Sequence, residues 1–197
     1  MKVVDVDERG LSAFYSSVGR VISEKEDWCD SHVLVVGIAT AGVDLAKGVS
    51  LALESEGVRT SLAFIRCQRP STKNGKKKSK YREALIASLL RKMPRFFVNA
   101  LRNIEHFLLQ SRGGDIRDVS ILDGVEVNGF SKVLIVDDAI DSGHSFRAVS
   151  GFLEAIVSEA DLYSCVYVTT QKRPVFSADY SHKDGVLVRF PWSLDAR

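Results

Sequence analysis

Apolar positions along the chain recur with two different periods, and the order in which the periods alternate predicts an architecture. Leu11, Phe14, Tyr15, Val18, Val21 and Ile22 fall three or four apart, which predicts an amphipathic helix over 11–22. "SHVLVVGIAT" is a short β-branched run bounded by polar residues and glycine, so a buried strand is expected at 33–38. After Gly42, the positions Val43, Leu45, Ala46, Val49, Leu51, Ala52 and Leu53 suit a helix that ends near Gly57. "RTSLAFIRC" reads as a second strand. Strand, helix, strand in this order is the right-handed crossover from which parallel sheets are built.

"QRPSTKNGKKKSK" interrupts the pattern. It is polar and basic, contains Pro70 and Gly75, and reads as a loop. Helices are expected at Tyr81–Lys92 and Pro94–Gln110, with Pro94 suited to a first helical turn. "ILDGVEVNG" alternates like a small hairpin around Asp123-Gly124. A buried strand at Val133–Val136 follows, then a helix at 145–159, a strand at 163–170 and a last strand at 186–190 before "PWSLDAR". No internal repeat is visible. The expected fold is α/β, a central, mostly parallel, twisted sheet flanked by helices in one domain over 1–197. Residues 67–118 form a basic loop plus helical insertion with too little core to stand alone.

Composition narrows the class. At 197 residues, 45% hydrophobic and 26% charged, the chain is ordinary for one soluble domain. Its start, "MKVVDVDERG", has acids where a secretory signal has a basic, then apolar, run. No stretch approaches the roughly 18 consecutive apolar residues of a membrane span. Cys29, Cys67 and Cys165 are odd in number and show no CxxC spacing, which suits reduced thiols in the cytoplasm. The net charge of +2 hides an asymmetry. Between Arg66 and Asp118, 14 Lys/Arg stand against four acids, leaving 13 against 21 elsewhere. Such a basic segment requires an anion as its partner.

The chemistry concentrates in "KVLIVDDAIDSGHSF", residues 132–146. In open α/β sheets ligands bind beyond the carboxyl ends of the strands. Val133–Val136 delivers Asp137 and Asp138 to that edge, and Asp141-Ser142-Gly143-His144-Ser145 opens a helix. A helix start presents backbone N–H groups and positive dipole, a natural phosphate seat. Gly143 permits close approach, Ser142 and Ser145 add hydroxyls, and the acids supply acceptors for sugar hydroxyls or a divalent metal. A signalling receiver domain also carries "IVDD", but near its start and with a phosphoacceptor Asp on a later strand. Only about 60 residues follow here, and none of their strand ends carries such an Asp.

"VLIVDDAIDSGHS" resembles the phosphoribosyl-diphosphate (PRPP) binding motif of type I phosphoribosyltransferases: an apolar run, two acids, then Asp-Ser/Thr-Gly-x-Ser/Thr. "VTTQKRPVFSADY" and "VLVRFPWSLD" are similar to the closing segment of xanthine–guanine phosphoribosyltransferases. There Lys172 takes the place of the lysine that binds the purine's exocyclic oxygen, and Pro191-Trp192 that of a closing Pro-Trp pair. A surface Lys and an aromatic core anchor would fit the same letters. The subfamily's stacking aromatic falls on Leu187 or Val188, leaving Phe190 or Trp192 as the available rings; on a strand Phe190 points opposite to Leu187. "GIATAGVDLA" sits where the family keeps its diphosphate loop. Ala39, Thr40, Ala41 and Gly42 would offer backbone N–H groups, although many members have Lys or Arg where Ala41 stands.

The resemblance implies an enzyme that transfers ribose 5-phosphate from PRPP to a nucleobase, a 6-oxopurine above all, releasing diphosphate. It implies Mg²⁺ bound by Asp137 and Asp138, which also hold the ribose hydroxyls. It gives Asp141 to the base as general acid/base and the turn Asp141–Ser145 to the 5-phosphate, with His144 contributing its backbone N–H. Arg66 and Arg69 would neutralise diphosphate when the basic loop closes. The charge run Lys76–Lys80 exceeds that need and reads as a solvated surface, with RNA contact as its sharper alternative. A homodimer or higher homo-oligomer is expected, with no membrane partner. The competing function is a PRPP- or nucleotide-sensing regulator that binds RNA or a protein.

Overall fold

The computed structural model describes residues 1–24, 28–68, 117–122, 127, 129–157 and 159–193. In chain order they form β1 (Lys2–Asp5), α1 (Glu8–Ser23), β2 (His32–Ala39), α2 (Gly42–Ser55), β3 (Arg59–Gln68) and β4 (Asp118–Ile121). Then follow β5 (Lys132–Ile140), α3 (His144–Ile156), β6 (Asp161–Thr169), β7 (Tyr180–Asp184) and β8 (Val186–Arg189). Six strands pair in the order β4-β3-β2-β5-β6-β7. All neighbours run parallel except β4, which lies antiparallel to β3 at the edge. This is the expected α/β fold.

Alternation along the central strands sends side chains to two cores. Val33 and Val35 of β2 and Leu134 and Val136 of β5 join Phe14, Val18, Leu45, Val49 and Leu53, so α1 and α2 cover one face. Leu34, Val36, Val133 and Ile135 join Phe146, Val149 and Leu153, so α3 covers the other. Strands buried on both faces read as continuous apolar runs, as these do. At the start of α1, Asp7 caps the helix by accepting from the Gly10 N–H at 2.8 Å.

Several boundaries differ from expectation. β5 continues to Ile140, because Asp137, Ala139 and Ile140 stay in the ladder opposite Val166, Val168 and Thr169 of β6. The two acids therefore lie inside the strand, not beyond it. The helix expected to reach 159 ends at Ile156, where Val157 leaves helical geometry and turns its side chain inward. β1, β4 and β7 are short, and β7 reads "YSHKD"; pairing, not periodicity, makes them strands. β8 does not join the main sheet but pairs with β1. The helices at 81–92 and 94–110 and the hairpin centre at Asp123-Gly124 lie outside the described residues. Among the described residues no helix is long and apolar enough to cross a membrane, and the three cysteines are free thiols.

The β1–β8 ribbon is tied by an ion pair between Asp5 and the buried Arg189. Removing one partner of a buried pair leaves the other charge uncompensated. Asp5 itself is 39% exposed, so solvent screens part of that loss. Asp5→Ala is expected to cost about 1–2 kcal/mol in urea unfolding, below the full buried-pair figure. No change in the denaturation midpoint would show that the ribbon does not depend on the pair.

Candidate active site

β2 and β5 are parallel neighbours, yet the crossover through α2 covers one sheet face and that through α3 the other. Beyond their carboxyl ends the chain must part, which is where open α/β sheets bind ligands. On the β2 side, Thr40 and Ala41 form the turn into α2. A Cβ placed on Gly42 would lie 2.7 Å from the Val136 carbonyl oxygen and 3.1 Å from Asp137 Oδ1. Glycine thus lets the first turn rest directly on the acidic strand.

On the β5 side, Gly143 has φ +85°, and a Cβ there would meet the Phe176 nitrogen at 2.7 Å. Segment 171–179 clamps this turn from outside. The Val175 N–H donates to the Ser142 carbonyl at 2.9 Å, and the Phe176 ring stacks on Phe146 with centroids 5.3 Å apart. Asp179 anchors the far end of the segment, accepting from the Ser164 N–H at 2.8 Å and its hydroxyl at 2.7 Å. The turn and the start of α3 wall a cavity of about 290 Å³, lined by Asp141, Ser142, Gly143, His144 and Ser145 together with Arg117. His144 Nδ1 and Ser142 Oγ lie 2.8 Å apart. The helical ladder opens with Arg147 N–H to the Gly143 carbonyl at 3.0 Å, so the amides of the preceding turn face the cavity end of the helix.

Asp137, Asp138 and Asp141 lie close enough to influence one another electrostatically, and Asp141 lines the cavity. The Asp138 N–H donates to Asp137 Oδ1 at 2.9 Å. Burial, then the Asp138 charge, hold the Asp137 carboxyl well above the usual carboxylate range. Burial also raises Asp138, as does the charge of Asp141, against the lowering effect of its hydrogen bonds with Asp137 and with Trp192. Asp141 is oriented by Thr170, whose hydroxyl donates to Oδ1 at 2.6 Å while its N–H donates to the Ile140 carbonyl at 2.8 Å. Among the described residues no three His, Cys, Asp or Glu side chains cluster as a metal cage. Two adjacent hard-oxygen donors with surplus negative charge do fit Mg²⁺, which characteristically takes one or two carboxylates and completes its shell from substrate and water.

The other residues named from the sequence distribute as follows. Arg66 is exposed on β3, in register with Ala39 of β2 and Ser120 of β4, level with the Thr40–Gly42 turn. Lys172 lines a separate hollow of about 480 Å³ with Gln171, Pro174, Ser177, Ser181 and Asp184. Leu187, Phe190 and Trp192 do not line that hollow. Leu187 is buried, and its strand neighbour Val188 faces the core with Phe190. Phe190 lies edge-on to Tyr167 and beneath Trp192, whose ring stacks on it at 4.8 Å and 5°. Trp192 remains 37% exposed. Arg69 and Lys76–Lys80 lie outside the described residues. Sequence reasoning missed Thr170, Phe176, Asp179 and Arg117: the first three lie within the segment "VTTQKRPVFSADY", but their contacts with Asp141, Phe146 and Ser164 join positions distant in sequence, and Arg117 belongs to no recognisable pattern.

The phosphoribosyl transferase domain family model matches residues 11–184. The purine phosphoribosyltransferase of Pyrococcus horikoshii Ot3 is similar in structure: 12% identity, 98% of this chain and 95% of that one covered, TM-score 0.58. The xanthine-guanine-hypoxanthine phosphoribosyltransferase of Helicobacter pylori is similar at 14% identity, with the same coverage and a TM-score of 0.61. A hypoxanthine phosphoribosyltransferase from Staphylococcus aureus is similar at 13% identity, covering 88% and 72%, with a TM-score of 0.54. No curated protein matches the chain by sequence.

Because the folded state holds Asp137 protonated more tightly than the unfolded chain does, wild-type stability falls as pH rises from the ordinary carboxylate range through the raised pKa. Asp137→Asn removes that cost. At pH 8 it is expected to stabilise the ligand-free protein by an amount on the order of 1 kcal/mol. The gain shrinks toward pH 4, where the wild-type acid is itself neutral. Urea unfolding at a series of pH values measures it, and a gain that stays constant with pH would contradict the burial argument.

Proposed function

The chain belongs to the phosphoribosyl transferase domain family and is a phosphoribosyltransferase; from that premise we propose that it transfers ribose 5-phosphate from PRPP to a 6-oxopurine, with Mg²⁺. The observation that carries the donor half is the meeting of the two turns on β5. The Gly42 turn abuts Asp137, and the Ser142–Ser145 turn opens α3 beyond it. The purine half draws its support from the names of the similar structures and from Lys172 and Trp192.

In this reading the amides and hydroxyls of Ser142–Ser145 bind the 5-phosphate, and those of Thr40–Gly42 receive the diphosphate, with Arg66 above them. Asp137 and Asp138 accept from the ribose hydroxyls and hold Mg²⁺, which when bound neutralises diphosphate and offsets the paired acids. Positioning is the larger part of catalysis, since the donor and acceptor are brought into line in a site shaped for developing positive charge on the sugar. The acceptor's ring nitrogen forms a bond to the anomeric carbon as the bond to diphosphate breaks and its oxygen keeps the electron pair. Asp141, oriented by Thr170, takes the proton released by the base. Trp192 offers its exposed ring face to the base, backed by Phe190, and Lys172 polarises the carbonyl. A cytoplasmic homo-oligomer accords with the three free thiols and with the family resemblance.

One observation favours a second reading, binding without turnover: Ala41 puts no cationic side chain in the diphosphate turn. A single assay separates the two. Incubation with PRPP, Mg²⁺ and hypoxanthine, guanine, xanthine or adenine is expected to release diphosphate and form a nucleotide with the 6-oxo bases. Asp141→Asn should lower kcat by about 10²–10⁴. PRPP binding with no turnover for any base would favour the regulator, and absence of PRPP binding would defeat both.

A further inference from the structure

We propose that Arg117, contributed by the antiparallel edge of the sheet, is a binding residue for the sugar's terminal phosphate. This rests on the reading of the Ser142–Ser145 turn as the 5-phosphate seat. Arg117 immediately precedes β4, whose first residue, Asp118, pairs with Gln68 at the carboxyl end of β3. That places Arg117 past the end of β3, on the side of the sheet that α3 covers. Cys67, one residue before that end, marks the same spot: its thiol lies 3.8 Å from the Ser145 carbonyl oxygen at the start of α3. Arg117 accordingly lines the same 290 Å³ cavity as Ser142 and Ser145.

Charge makes the assignment specific. Among the described residues, Arg117 is the one permanently cationic side chain on the cavity wall, and Asp141 is an acid on that wall. A helix start carries only partial positive charge, about half an elementary unit, against the nearly two negative charges of a phosphate monoester. With Asp137, Asp138 and Asp141 a few residues away, backbone dipoles alone leave the dianion beside three carboxyls. A guanidinium restores the balance and matches phosphate oxygens through paired N–H donors. Its Nε is withdrawn from solvent, so the charge is presented in a partly dry setting where it acts more strongly. The same charge reaches Cys67, whose thiol burial raises and Arg117 lowers.

The test uses two ligands that occupy different ends of the donor site. Ribose 5-phosphate carries the terminal phosphate, whereas magnesium diphosphate does not reach its seat. In calorimetric titrations of the full chain, Arg117→Gln is expected to weaken ribose 5-phosphate about 10- to 100-fold, the loss of one charge-assisted contact. Binding of magnesium diphosphate should change less than twofold. Arg117→Lys, which keeps charge but loses the paired donors, should fall between. If the Gln variant fails to fold, the Lys variant carries the test, with selective weakening of ribose 5-phosphate still expected. Unchanged ribose 5-phosphate affinity, or equal loss of both ligands, overturns the role of Arg117 and leaves the site reading standing. A wild-type protein that binds neither ligand overturns both.

Discussion

The site depends on one close contact, that of Gly42 against β5. Two parallel strands that send their helices to opposite faces must open a cleft at their carboxyl ends. How narrow the cleft becomes is set by how closely the first turn can settle on the neighbouring strand. Here a single Cβ at position 42 would strike the Val136 carbonyl at 2.7 Å. The backbone of the Thr40–Gly42 turn and the side chain of Asp137 are consequently within reach of one small ligand. In the proposed reading neither the acids nor the turn serves a sugar diphosphate alone, and their close approach joins them in one site.

The same arrangement has an energetic cost, which the rest of the fold offsets. Asp137 and Asp138 sit within a central strand, where burial disfavours their charged forms, helped by the Asp138 charge at Asp137 and the Asp141 charge at Asp138. They are kept there by features that do not depend on the acids. The β2–β5–β6 ladder runs beneath them, apolar cores fill both faces, and segment 171–179 is pinned by Asp179 at its end and by Phe176 on Phe146 within it. Such tension is characteristic of sites whose ligand brings the missing charge.

The legibility of these features in the sequence follows the range of the interactions. Strands β2 and β5 and helices α1 and α2 were readable, because buried apolar residues at fixed spacing encode them locally. The turn at Gly143 was readable for the same reason: three acids and a small-residue loop at a strand end form one contiguous pattern. β7 was not, since "YSHKD" becomes a strand only by pairing with β6. Nor was the continuation of β5 through Asp138, because the charge pattern suggested that the strand had ended while the partner ladder had not. Thr170 and Arg117 meet Asp141's cavity from 29 and 24 residues away in sequence, and no spacing rule links such positions.

In the proposed reading, donor and acceptor halves are built on different principles. The proposed donor half is local, two turns and one strand, and relies on backbone amides and acids. The proposed acceptor half draws on the chain's later segments, with Lys172 in a surface hollow and Trp192 stacked on Phe190. The indole also donates to Asp138, so the acceptor side touches the donor acids directly. On that reading, a base stacked on the Trp192 ring would therefore lie next to the hydrogen bond that holds Asp138.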